Sequence, residues 1–158
     1  MFFLNRQCVK THCLLVFLVF FFQINFINAS EKLINNSSIY PKYCSFSDFL
    51  FQLEVADTPE KQAVGLMHRK SLPTRNAMLF IFPFEKRSVF WMKNTYVALD
   101  IIWLNKNKKV VYIKKGALPL NTEYLVTPIP AKYVLEINAG LADKLAIKIG
   151  DFANFIFY

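Results

Sequence analysis

The sequence predicts a mainly β single domain, either a β sandwich or a partly closed barrel, with two short helices. Six or seven short segments are rich in apolar, aromatic and β-branched residues, and turn residues separate them. Only two segments have the spacing and end signals of helices, and the sequence contains no internal repeat or heptad pattern. Short strands in this number are typical of sandwiches and barrels.

The first residues are typical of a secretory signal peptide. Arg6 and Lys10 precede an unbroken apolar run over residues 14–22, and a small residue, Ala29, follows a short polar stretch. The run is well short of the roughly 20 apolar residues that a spanning helix needs. We therefore expect residues 1–29 to be a cleaved signal peptide, and the protein to be periplasmic or secreted, with no membrane span after cleavage. An uncleaved N-terminal anchor is the alternative.

Removal of this leader leaves 17 basic and 11 acidic residues, a net charge of +6, and a single cysteine and histidine, Cys44 and His68. A zinc site built from His and Cys needs three or four ligands, so we expect no metal site, and no cofactor is predicted. Cys44 has no intramolecular partner and is either buried or paired with another chain. Because the basic residues are scattered and we expect the chain to be exported, nucleic acid is not an expected partner.

The predicted domain covers residues 48–158 and follows a polar tether over residues 30–47. Its first segment, FLFQLEVA at 49–56, alternates apolar and more polar positions as a strand does. A short helix is predicted from Pro59 to Met67, because Pro suits the first helical turn and Thr58 or Asp57 can cap it.

The remaining segments predict β structure and a second short helix. AMLFIFPF at 77–84 and SVFWMKNT at 88–95 are strands apolar on both faces, and LDIIWL and KVVYI flank the turn NKNK at 105–108 as a hairpin. Residues 114–130 contain three prolines and predict a long surface loop. The last predicted elements are a strand in KYVLEIN, a helix in AGLADKLAI and a closing strand in GDFANFIFY.

Five segments resemble, in order and at about the same spacing, the "domain of unknown function" family numbered one hundred and ninety-two. They are LEVADTPEKQAVGLMHRKSLP, AMLFIFPF, FWMKNTYVALDIIWL, YVLEINAG and IKIGDF, and together they cover about residues 50–156. The resemblance implies a compact β-rich domain of a kind that bacteria and archaea commonly export, and it implies no established activity. The chain departs from the family pattern at Ala77 and Ala98, where Gly and Pro are usual, and residues 114–130 lack cysteines that some members carry.

Polar side chains interrupt the apolar segments at five positions, which are Arg69, Lys93, Asn94, Asp100 and Glu136. Such groups cost free energy to bury unless they are paired. One interpretation is local pairing, of Lys93 with Asp100 and of Arg69 with Glu136, while Asn94 and Thr95 fix a turn. The other interpretation places all five around one concave ligand-binding site, with Trp91 or Trp103 as a wall.

Two functions are compatible with such a site. The first is a binding module of the cell envelope for a small ligand or glycan. The second is a hydrolase or lyase that uses Asp100 and Glu136 as an acid and base, with Lys93 or Arg69 stabilising negative charge. The second function requires both carboxylates to face one cavity, about 5 to 10 Å apart in glycoside chemistry. The sequence favours the binding module and leaves the ligand and the oligomeric state open; a scaffold role has no direct support.

Overall fold

The structure, a computed structural model, describes residues 39–157. The predicted signal peptide, residues 1–29, and the first part of the predicted tether lie outside the described residues. Within them, no helix is long and apolar enough to cross a membrane.

The described residues form nine strands and two short helices, so the predicted mainly β class with two short helices is confirmed. The strands are β1 Tyr43–Phe46, β2 Phe49–Ala56, β3 Asn76–Lys86, β4 Val89–Phe90, β5 Leu99–Leu104, β6 Val110–Ala117, β7 Leu125–Val126, β8 Ala131–Asn138 and β9 Asn154–Ile156. The helices are α1 Pro59–Val64 and α2 Leu141–Lys144.

Seven strands form one curled sheet in the order β6-β5-β8-β3-β2-β1-β9, and β4 pairs with β7 in a separate ribbon. Strands β2 and β3 are parallel, and the other neighbours are antiparallel. The two ends of the sheet meet, because Val110 N–H donates to the Asp151 carbonyl at 2.8 Å and Lys109 bridges to Phe152. The predicted partly closed barrel is therefore the observed architecture.

Both faces of the sheet are apolar. The inner face packs side chains such as Phe51, Leu79 and Ile102 against α2 and the two end strands. The outer face packs side chains such as Phe80 and Trp103 against the segments that leave the sheet. Alternation along each strand assigns successive residues to opposite faces, so the face of every polar residue on a strand is fixed by its apolar neighbours.

Several predicted boundaries are wrong. The predicted surface loop at 114–130 contains the end of β6 and the short strand β7, and α1 ends at Val64 instead of Met67. Strand β1 lies inside the predicted tether, where Cys44 and Phe46 are buried between β2 and β9. A four-residue strand is too short to give a periodic signal after a polar arm. The predicted strand at 88–95 is reduced to Val89–Phe90, because Asn94 turns the chain with a φ of 55°. Cys44 is buried, as one interpretation had it, and burial raises the pKa of its thiol to about 12.

Candidate ligand-binding cleft

A cleft of about 520 Å³ opens on the outer face of the sheet. One side is the end of α1 and the turn that follows it, from Gln62 to Met67. The opposite side is the segment from Lys86 to Trp91, together with Tyr124, and the floor includes Phe80 and Glu136. The cleft is thus formed where a loop and a helix end cover the middle of the sheet.

Glu136 is the acidic residue among those that line the cleft. It pairs with Met78 on β3 and with Ile101 on β5, and both neighbours belong to the outer face. The residue is 5% exposed, and no residue within 39–157 forms a hydrogen bond or an ion pair with its carboxyl group. Its oxygens keep contact with the cleft, because no fully buried side-chain N or O atom of the described residues lacks a partner. Burial without a compensating charge raises the pKa of this carboxyl to about 8.

Aromatic rings form much of the cleft wall. Phe80 and Phe90 meet edge to face at a centroid distance of 5.0 Å, and Trp91 stacks on Tyr124 at 5.9 Å with an interplanar angle of 22°. Trp91 and Tyr124 are 38% and 68% exposed, so their outer surfaces reach solvent. Flat rings around one buried polar group are the usual lining of a small-molecule site.

Gly65 allows α1 to end close to the floor of the cleft. It has a φ of 50°, a conformation that L side chains rarely adopt, and a Cβ atom there would lie 3.2 Å from Cζ of Phe80. Thr58 caps the other end of the helix by accepting a hydrogen bond from Lys61 N–H. The turn after the helix can therefore pack directly on the Phe80 ring.

Two cations lie at the mouth of the cleft. Lys86 and Arg87 are exposed, and the Lys86 Nζ lies 4.3 Å from the centroid of the Phe82 ring. No hydrogen bond or ion pair joins Arg87 to another described residue. The cleft is thus acidic at its floor and basic at its rim.

Arg69 does not pair with Glu136. Its guanidinium donates to both carboxylate oxygens of Glu54, at 2.5 and 2.6 Å, and this contact lowers the pKa of Glu54. Glu54 faces Met78 in the register of the sheet, and Met78 faces Glu136, so the two glutamates share a row on the outer face. The sequence therefore led to the wrong partner for Arg69: it pairs with Glu54 and not with Glu136, which lies farther along the same row.

Lys93 and Asn94 lie in the turn after β4 and do not line the cleft. The Lys93 Nζ contacts the face of Trp91 at 5.1 Å and makes no ion pair with Asp100. Asn94 adopts a positive φ, and its backbone carbonyl accepts a hydrogen bond from His68 N–H. The prediction that Asn94 and Thr95 fix a turn is confirmed, since the Thr95 hydroxyl donates to the Lys93 carbonyl at 3.4 Å.

Asp100 is a structural residue on the inner face. Its two carboxylate oxygens accept hydrogen bonds from Gly116 N–H at 2.8 Å and from Ala142 N–H at 2.9 Å, which links the hairpin β5–β6 to α2. Asp100 pairs with Ile137, whereas Glu136 pairs with Ile101. The two carboxyl groups therefore point to opposite faces of the sheet, and the prediction of an acid and base pair is wrong.

Of the five predicted site residues, the structure places Glu136 in the cleft, and it places the other four elsewhere. The predicted wall residue Trp91 lines the cleft, and Trp103 is buried behind it, where its Nε1 donates to the Ser88 Oγ at 3.0 Å. The rim cations were missed. The sequence signal that could have found them is the charged stretch EKRS at 85–88, between two apolar segments.

No group of three or more His, Cys, Asp and Glu side chains that could hold a metal ion occurs within residues 39–157.

The family model described as "Uncharacterized ACR" (DUF192) matches residues 45–155. The chain belongs to this family. A UPF0127 protein of Pyrococcus furiosus is 31% identical over 102 residues, which are 63% of this chain and 83% of the relative. A UPF0127 protein of Pyrococcus abyssi is 32% identical over 108 residues, 66% of this chain and 86% of the relative. The resemblance inferred from the five segments is thereby confirmed.

Two solved structures share the fold of this DUF192 chain. The first is a protein of unknown function from Novosphingobium aromaticivorans, with a TM-score of 0.68 and 36% identity over 73% of this chain and 84% of the other. The second is described as a putative transcription regulator from Sinorhizobium meliloti, with a TM-score of 0.69 and 29% identity over 73% of this chain and 95% of the other. The similarity establishes a shared architecture.

Proposed function

We propose that this protein is an exported small-ligand-binding domain of the cell envelope, and that the cleft around Glu136 is its binding site. The observation that carries the proposal is the Glu136 carboxyl group: the residue is 5% exposed and lines the cleft, and no described residue bonds to its carboxyl group. Its oxygens open onto the cleft, since no fully buried side-chain N or O atom of the described residues lacks a partner. Polar groups this deep in a protein are nearly always paired, and a ligand in the cleft can supply that partner.

The lining of the cleft supports a ligand with both apolar and polar surface. Phe80, Phe90 and Trp91 offer ring faces and edges, while the carboxyl group gives a directional contact at the floor. Trp91 and Tyr124 expose a stacked aromatic surface at the mouth, and exposed aromatic rings are amphipathic surfaces suited to sugar rings. Envelope glycans are therefore the first ligands to test.

Ligand binding is tested by the melting temperature of the purified protein in a library of neutral, acidic and amine-bearing envelope glycans, and by native mass spectrometry. We expect at least one compound to raise the melting temperature, because a ligand that binds the native state alone stabilises it. Trp91→Ala should abolish the shift. Phe152→Ala, which removes an exposed ring outside the cleft, should preserve it. A flat response in both measurements would contradict the proposal.

Export is supported by the sequence of the leader and is tested separately. The full chain, expressed in a bacterial host, should be recovered outside the cytoplasm with a mass that corresponds to cleavage after Ala29. Replacement of Leu14 and Leu15 by Arg interrupts the apolar run and should keep the protein in the cytoplasm at its full mass. Recovery of the unaltered chain from the cytoplasm would contradict export and leave the binding test unaffected.

A further inference from the structure

We propose that the ligand of the cleft is dipolar: a protonated amine pairs with Glu136 at the floor, and an anionic group contacts Lys86 and Arg87 at the mouth. The inference rests on the proposed function, because it takes this cleft as the binding site. It adds the charge pattern and the orientation of the ligand.

The floor of the cleft is suited to a cation. Glu136 has no partner within the described residues, and an ionised buried carboxylate is stabilised best by an opposite charge in direct contact. The aromatic rings of Phe80, Phe90 and Trp91 lie in the same lining, and ring faces attract desolvated ammonium groups. A carboxylate and aromatic rings in one cleft lining are the combination that selects an amine over an uncharged group.

Three uncharged polar side chains of the lining already have hydrogen-bond partners within the fold. The Gln62 Nε2 donates to the Ile81 carbonyl, the Ser88 Oγ accepts from the Trp103 Nε1, and the Thr95 hydroxyl donates to the Lys93 carbonyl. Among the described residues, Glu136 is therefore the buried lining residue whose polar side chain has no such partner.

The mouth of the cleft is suited to an anion. Lys86 and Arg87 are exposed there, and Glu136 is the single acidic side chain of the described lining. Arg87 makes no ion pair with any described residue, so its guanidinium is available for bidentate contact with a carboxylate or phosphate. Two cations at the entrance also disfavour a ligand that is purely cationic.

The separation of Lys86 and Glu136 along the sheet favours a ligand with a spacer between its charges. Lys86 lies opposite Ala131 on β8, five residues before Glu136, so the Cα atoms of Lys86 and Glu136 are roughly 16 Å apart at the rise of a strand. The Lys86 side chain lies over the Phe82 ring, and both side chains shorten the distance between the charged groups. A ligand with an extended spacer between its amine and its anion spans such a distance more readily than an α-amino acid, whose two charged groups share one carbon.

Three probes of equal length separate the contributions: ε-aminocaproate, which carries both charges, n-hexylamine, which carries the amine, and hexanoate, which carries the anion. We expect ε-aminocaproate to bind most tightly in calorimetric titrations near neutral pH, and hexanoate to bind at least about tenfold more weakly, the effect of one lost charge contact. Glu136→Gln should weaken both amines by at least about tenfold. Asp143→Asn, which removes an exposed carboxylate outside the cleft, should leave their affinities unchanged.

Proton release gives a second readout that a structural effect of the substitution does not mimic. The Glu136 carboxyl, with a pKa of about 8 in the ligand-free protein, must lose its proton to pair with an ammonium group. Binding of ε-aminocaproate near pH 7 should therefore release close to one proton per complex, measured from the heats in buffers of different ionisation enthalpy. The weaker binding that remains in Glu136→Gln should occur without proton release.

The rim is tested by the double substitution of Lys86 and Arg87 by Gln. It should remove the advantage of ε-aminocaproate over n-hexylamine while the affinity for n-hexylamine is retained or increased. The matched change of Lys144 and Lys148 to Gln, two lysines outside the cleft, should preserve the advantage.

The outcomes separate this inference from the proposed function. Hexanoate binding as tightly as n-hexylamine, or a glycan that binds the cleft without proton release and tolerates Glu136→Gln, would overturn the dipolar ligand and retain a binding site. If no glycan and none of the three probes binds, the proposed function fails together with the inference.

Discussion

Glu136 destabilises the ligand-free protein when it is ionised. Its carboxylate gains neither a charge partner nor a hydrogen bond from the described residues, and it loses most of its contact with water. Asp100, which faces Ile137 on the neighbouring strand, is a paired carboxylate by contrast, because two backbone N–H groups donate hydrogen bonds to its oxygens. Asp100 thus links elements of the fold, whereas the carboxyl group of Glu136 remains open to the cleft.

Substitution of Glu136 by Gln should stabilise the protein in a pH-dependent way. The pKa of the carboxyl rises from its ordinary 4.5 to about 8 on folding, so the folded state binds a proton that the unfolded chain has released. The free energy of unfolding of the wild type therefore falls as the pH rises through this interval and levels off above it. Between about pH 5 and pH 8 the variant should gain roughly 3 kcal/mol relative to wild type.

Urea titrations at several pH values measure this difference. Glu54→Gln is the matched control in the same row of the sheet. Arg69 lowers the pKa of Glu54 in the folded protein. The Glu54–Arg69 pair therefore stabilises the fold above the pKa that Glu54 has in the unfolded chain, and this stabilisation is lost as the pH falls through the lower pKa of the folded state. Because the pair is partly exposed, its removal should cost less than about 1 kcal/mol at neutral pH. A constant difference between Glu136→Gln and wild type at all pH values would refute the assignment of an unpartnered carboxyl.

At the scale of elements, sequence patterns predicted what depends on a single segment. The hairpin β5–β6 follows from two apolar runs around NKNK, and α1 follows from its cap and Pro59. The patterns predicted a strand at 88–95 but neither its end at Phe90 nor its pairing with β7, because the apolar residues after Phe90 pack on the outer face as a turn instead of extending the sheet.

Of the five predicted site residues, Glu136 lines the cleft and the other four do not, because their positions depend on how distant strands pair. Alternation gives the face of Glu136 relative to its own strand, but the pairing of β8 with β3 and β5 decides which polar residues come near it. Asp100 and Arg69 were grouped with Glu136 because they are charged residues that interrupt the apolar segments. Strand order, a property of distant pairs, places Asp100 on the other face and gives Arg69 a different carboxylate.

The end of α1 provides a prediction at this scale. Gly65→Ala introduces a Cβ atom 3.2 Å from Phe80 at a positive φ, whereas Gly116→Ala introduces one at a similar φ with no neighbour within 4 Å. Backbone strain alone should cost Gly116→Ala about 1 to 2 kcal/mol. Gly65→Ala should cost roughly 1 to 2 kcal/mol more, because the Phe80 ring must shift and because the backbone of Gly65, with a ψ of −131°, lies outside the left-handed helical region.

Thermal or urea unfolding of the two variants gives this comparison directly, with wild type in the same buffer. The shifted ring also narrows the cleft, so Gly65→Ala should weaken any cleft ligand while Gly116→Ala should not. Equal losses of stability together with equal ligand affinities would show that the helix end does not pack on the floor of the cleft.

At the scale of the whole molecule, the curled sheet holds two cores at once. The inner core includes residues from both end strands, among them Val110 and Phe155, and it is enclosed because residues 108–110 hydrogen-bond with residues 150–153. The outer core is covered by α1, β4 and the adjoining loops, and it contains the cleft. The closed inner core therefore packs against the inner face of β8, the strand that carries Glu136 on its outer face.

Strand β1 is the link on which this closure depends. It lies between β2 and β9 and hydrogen-bonds with both, and its residues Cys44 and Phe46 belong to the inner core. A chain that begins at residue 48 lacks the partner of β9, exposes Phe155 and leaves the sheet open at one end. A chain that begins at residue 39 retains every strand of the sheet.

We therefore expect the fragment 39–158 to unfold cooperatively and the fragment 48–158 to lack native structure. Deletion of β1 removes one buried aromatic side chain and uncovers a second, each worth about 3 to 5 kcal/mol, and this loss approaches the whole stability of a domain of this size. Near-UV circular dichroism and urea unfolding of the two fragments test the expectation. Retention of a native near-UV spectrum and a cooperative transition by 48–158 would show that β1 is dispensable and that the barrel is held by β2, β3, β5, β6 and β8 alone.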